Sequence, residues 1–201
     1  MQQRTSSVDI QTIREALEAN SRLTSLSGAA LLVSGLLCFL SAGLTSQSGL
    51  AESAARSGLG GPVLRQMVLV WSATLLASIA LNLLGMLRRA RLDGQPLAAR
   101  LGRRVLFAML PALAVGGALT LALALQGSLG YIFAVWMLCY GAALIAASAH
   151  SLTSVRMLGM FTLMGGVLGV LGLDLDFLVF VATFGAGHFL LGVWVGVRYG
   201  W

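Results

Sequence analysis

The chain has 201 residues, of which 58% are hydrophobic and 10% charged, with 25 glycines and a formal net charge of +6. Water-soluble domains carry about 25% charged residues, so this composition excludes an ordinary soluble enzyme, a disordered tail and a collagen-like rod. All thirteen basic residues are arginine, and they fall between long apolar runs rather than among stacking aromatics, which points to anionic lipid and away from nucleic acid.

Taken in chain order, residues 1–25 read as a cytoplasmic unit of their own. From Val8 to Leu23 the apolar Ile10, Ile13 and Leu17 recur at helical spacing while Asp9, Arg14, Glu15 and Glu18 occupy the other side, the pattern of an amphipathic helix at the inner membrane surface or against the bundle. Ser7 or Asp9 suits its N-cap. No short apolar core lies near Met1, so a cleaved signal peptide is not expected.

Residues 26–201 read as one transmembrane domain. Crossing a hydrocarbon core of about 30 Å takes about 20 apolar residues in a helix, because every buried amide must be satisfied within its own segment. Six stretches meet that requirement: Leu26–Thr45, Met67–Leu87, Val105–Leu125, Tyr131–Ala149, Met157–Leu173 and Phe177–Val197, none containing Asp, Glu or Arg. The expected fold class is therefore all-α, a polytopic membrane protein with six transmembrane helices and an N-terminal amphipathic helix. The short connections Gln126–Gly130 and Asp174–Asp176 join antiparallel neighbours, so three antiparallel hairpins are the simplest plan.

Orientation follows from arginine placement, since cytoplasmic loops retain positive charge. With the N-terminus inside, eleven arginines lie on the inner side and only Arg56 and Arg65 on the outer side. Both termini are then cytoplasmic. In the inner connection Arg88–Arg104, Pro96 suits a first helical position and Leu97, Leu101 and Val105 share a face. Arg88, Arg89, Arg91, Arg100, Arg103 and Arg104 are expected at anionic headgroups. The cytoplasmic face also offers a surface to a protein partner. The outer segment Ser46–Pro62 is rich in Gly and Ser and reads as a loop. Leu-Thr-Ser at Leu23–Ser25 and again at Leu152–Ser154 hints at internal duplication.

His188 is the one strongly ionisable side chain near the middle of a span, and such residues mark function more often in lipid than in water. Either it makes a neutral interhelical hydrogen bond or it handles protons or a solute. Span two contributes Ser78 and Asn82, span three Thr120, and span four Trp136 and Tyr140; with His188 these are the candidate polar interior. Pro111 removes a backbone hydrogen bond inside span three and is the candidate gate. Gly165 and Gly169 on span five, and Gly185, Gly192 and Gly196 on span six, are candidate packing positions that let helices approach closely. His150 reads as interfacial and Asp174 and Asp176 as a solvated turn. About 18 Å of helix separates Asp176 from His188, too far for a direct acid–base pair. Cys38 and Cys139 lie inside apolar spans, where a thiol behaves as a small hydrophobe. No disulfide, metal or cofactor is expected.

Enzyme motifs are absent by inspection: there is no G-x-S-x-G, H-E-x-x-H or P-loop, and no intramembrane Asp or Glu. Membrane hydrolases and transferases need a nucleophile–base pair or a metal. The expectation is a non-enzymatic accessory, sensing or scaffold subunit, with a small-solute or ion transporter or channel running past His188 as the alternative.

Ile13-Arg14-Glu15, Ser21-Arg22-Leu23-Thr24-Ser25-Leu26-Ser27-Gly28, Trp136 with Tyr140-Gly141, and Gly187-His188 with Gly192 resemble an uncharacterised family of bacterial six-span inner-membrane proteins. The likeness covers most of the chain. It implies a bacterial inner membrane and six spans but no assigned chemistry. In architecture alone, the three-hairpin plan is similar to acid-resistance membrane proteins of comparable size.

Overall fold

The structure is a computed structural model that describes residues 26–47, 62–92, 96–126, 129–171 and 176–201. The amphipathic helix expected over residues 1–25 lies outside the described residues, as do residues 48–61, 93–95, 127–128 and 172–175. Six helices make up the bundle: α1 Gly28–Gln47, α2 Pro62–Leu92, α3 Pro96–Leu125, α4 Ile132–Ala147, α5 Thr153–Val170 and α6. The last is built of three contiguous pieces, Asp176–Phe180, a π-helical turn Val181–Ala186, and Gly187–Tyr199. All six are long and apolar enough to cross a bilayer, and no strand occurs among the described residues.

The connection between α2 and α3 is shorter than the sequence suggests. α2 continues five residues past Leu87 to Leu92, and α3 already starts at Pro96, so the helical face of Leu97 and Leu101 is the first turn and a half of span three itself. Pro96 needs no amide partner at that first position. Pro111 leaves α3 unbroken as an element.

Around the bundle α2 packs on α1, α1 on α6, α6 on α5, α5 on α4 and α4 on α3, while α2 and α3 touch only along a narrow seam. The most extensive contacts are α4 with α5 and α1 with α6. Both rest on small residues seven apart, which return to nearly the same helical face after two turns. Gly28 and Gly35 of α1 face Gly185, Gly192 and Gly196 of α6: a Cβ on Gly28 would stand 2.5 Å from the Gly196 amide nitrogen, and one on Gly35 2.7 Å from the Gly185 carbonyl. On the other pair, Cβ atoms on Gly141 and Gly166 would meet the Gly159 and Ala134 carbonyls at 2.8 and 3.0 Å. Contact partners descend on one helix as they rise on the other, so both pairs are antiparallel. Backbone contact replaces side-chain interlock, as expected where lipid gives no hydrophobic drive to association.

Burial follows from this. α1, α4, α5 and α6 supply nearly all the core, with Met137, Val195, Thr45, Thr162 and Ser151 almost wholly enclosed. α2 and α3 bury few residues and turn Leu69, Leu76, Leu84, Phe107 and Leu121 outward, an apolar surface suited to hydrocarbon.

Candidate functional site

The π turn shapes the interior. Its Thr183 hydroxyl donates to the Val179 carbonyl at 2.9 Å and the Phe180 carbonyl at 3.2 Å, competing with the amides that would close an ordinary ladder. Gly185 lies inside the loosened turn and Gly187 directly after it, both weak helix formers, and Phe39 of α1 packs against Gly185. In a regular α-helix, residues four apart drift by about 40° per step. Here Phe180 and Phe184 stack at 4.3 Å with planes 20° apart, and Phe184 and His188 follow at 5.8 Å and 26°. The widened turn therefore aligns Phe180, Phe184 and His188 on one side of α6.

An aromatic column results. Trp71 of α2 sets its edge against Phe133 of α4 at 6.0 Å and against Phe180 at 5.1 Å, and Tyr140 of α4 packs on Phe184 at 4.8 Å. Its polar end is a single pair: the Tyr140 hydroxyl and His188 Nε2 share a hydrogen bond of 2.8 Å between α4 and α6. His188 is 7% exposed. Its Nδ1 is buried without a hydrogen-bond partner.

The remaining polar candidates form separate groups. Asn82 donates from Nδ2 to Ser34 Oγ at 2.9 Å and to the Ser78 carbonyl at 2.8 Å, and Ser34 in turn donates to the Ala30 carbonyl at 2.8 Å. Two turns away, Ser41 Oγ lies 2.5 Å from Thr74 Oγ1, which passes its own proton to the Val70 carbonyl. This ladder ties α2 to α1. It stands at the depth of His188, because Gly35 next to Ser34 meets Phe189 next to His188, but on another side of α1. Thr120 is half-buried on α3 and donates to the Gly116 carbonyl of its own helix. Trp136 is half-buried against the cluster of Cys38, Met137 and Phe180. Pro111 is exposed.

Of the packing glycines, Gly185, Gly192 and Gly196 lie in the α1–α6 contact, with the Trp201 ring also against Gly196. Gly165 faces Val179 of α6 and Met137 of α4, and Gly169 is half-buried. Sequence reasoning did not read Ser34, Ser41, Gly28, Gly35, Gly141, Gly159 or Gly166 as interhelical contacts. Their signal was available as seven-residue spacing: 28 and 35, 34 and 41, 159 and 166.

Near the C-terminal end of α2, Arg89 donates to the carbonyls of Gly200 and Leu26. Gly200 has φ +93°, a left-handed value that glycine adopts without strain. One of the six arginines expected at headgroups is thereby engaged within the protein. Arg88, Arg91, Arg103 and Arg104 are exposed, and the Arg100 side chain lies outside the described residues.

Chemically, the site offers one imidazole and one phenol that use their facing polar atoms on each other. Among the described residues, no group of three His, Cys, Asp or Glu is placed to hold a metal. No family model matches the chain, and neither does any curated protein or solved structure.

Proposed function

We propose that this is a non-enzymatic integral protein of a bacterial inner membrane, an accessory, sensing or scaffold subunit inserted as three hairpins with both termini cytoplasmic. The Tyr140–His188 pair carries this reading: the most suggestive polar groups of the interior are spent on a hydrogen bond between α4 and α6, in a bundle whose α1–α6 and α4–α5 pairs approach to backbone contact. The inner arginines bind anionic headgroups, the N-terminal amphipathic helix lies beside them, and the cytoplasmic face receives a protein partner.

A conduit past His188 is the second reading, favoured by the π turn beside it, since such turns often accompany functional sites, and by the unpartnered Nδ1. Proteoliposomes loaded with a pH-sensitive dye separate the two. The scaffold reading expects proton leakage equal to that of empty liposomes for wild type and His188→Ala alike. Flux in wild type that His188→Ala abolishes, at equal abundance and folding, would replace it with the conduit.

A further inference from the structure

Two exposed arginines flank one side of the α2–α3 seam. Met86 of α2 lies against Gly102 of α3, which fixes the facing positions at the inner end of both helices. Counting about 100° per residue from that contact, Leu83, Leu87 and Arg91 lie 60–140° round α2. Arg103, Leu106 and Phe107 lie 40–140° round α3. Because the helices are joined as an antiparallel pair, these positive rotations fall on the same side of the seam. Arg89 lies about 60° the other way on α2, which agrees with its bonds to Leu26 and Gly200 in the protein. All six residues of the outward side are exposed.

The depth matches a headgroup as well. α2 has 31 residues and α3 has 30, so each is about 45 Å long against a hydrocarbon core of about 30 Å. Their arginine-bearing ends therefore stand in the headgroup layer. Arg103 sits one residue deeper than the Met86–Gly102 contact and Arg91 five residues shallower, a difference in depth of about 9 Å that two long guanidinium side chains span. Below them the same two faces continue as leucine and phenylalanine.

We propose that this side of the seam is a binding site for one anionic phospholipid, its phosphate held between Arg91 and Arg103 and its acyl chains along Leu83, Leu87, Leu106 and Phe107. A free phosphate would leave the apolar part of the groove unused. The assignment rests on the headgroup reading above and sharpens it to two arginines out of the set.

The test is native mass spectrometry of the full chain in detergent with limiting phosphatidylglycerol against phosphatidylcholine. An arginine near a headgroup contributes about 1 kcal/mol, or about fivefold. Wild type is expected to retain phosphatidylglycerol preferentially. Arg91→Gln/Arg103→Gln is expected to lower that retention about 25-fold, while Arg103→Lys keeps the charge and most of the binding. Arg88→Gln/Arg104→Gln removes equal charge from the same helix ends but points away from the groove, and should change retention less than twofold. Equal losses in the two double variants overturn the site and leave diffuse headgroup attraction standing. No preference in wild type overturns both. Displacement of the lipid by inorganic phosphate at comparable concentration overturns the lipid assignment.

Discussion

Tyr140 and His188 are 48 residues apart in sequence and share one hydrogen bond. In a membrane interior such a bond contributes about 0.6 kcal/mol on average and up to about 1.7. Tyr140→Phe keeps the ring against Phe184 and removes only the hydroxyl, so it reports the bond with little change in packing. Denaturant unfolding in mixed micelles should show a loss within that range. His188→Leu should lose a similar amount, and the double variant less than the sum, because replacing both partners leaves no buried polar atom waiting for the other. Strict additivity would mean that the two side chains act independently, and the interhelical role would fall. Each residue was a legible candidate from its type and its place in a span. Their pairing was not, since two apolar helices can meet at any rotation until the small residues are mapped.

Helix identity was legible because six long apolar runs have few alternatives in lipid. Helix partners were harder to read, because a face packed on protein and a face bathed in hydrocarbon carry the same apolar side chains. Gly165 and Gly169 drew attention through their four-residue spacing, whereas the α4–α5 contact is built on Gly141, Gly159 and Gly166, two of them seven apart. The π turn was not legible either, because the Thr183, Gly185 and Gly187 found in and beside it have a spacing that resembles ordinary packing. The close contacts give a signed prediction. Gly192→Val places branched carbon against the backbone of Gly28 and Leu32 and should destabilise by about 2–4 kcal/mol or prevent accumulation. Gly43, with open space where a Cβ would go, should tolerate Gly43→Ala and gain up to about 1 kcal/mol from helix propensity. Thermal melts of both in the same detergent compare them directly, and equal behaviour would contradict the contact map.

At the scale of the whole molecule, arginine placement predicts which end faces the cytoplasm. Cys38 and Cys139 are both buried, so a membrane-impermeant maleimide reads introduced cysteines against a quiet background. In intact cells Ser57→Cys should label from outside and Gly94→Cys only after lysis; the reverse pattern would invert the topology. The α1–α6 contact has a temporal consequence. Gly35 and Gly185, which meet across it, are 150 residues apart in the chain, and at about 5–20 residues per second the ribosome takes about 8–30 s to get from one to the other. Once Leu92 has been made, 93 residues remain up to and including Gly185, and over that stretch α2 is, of the neighbours α1 has in the folded bundle, the main one already complete. The residues of the Ser34–Asn82 and Ser41–Thr74 rungs are thus all in place before the helix that covers the glycine face of α1 has been made.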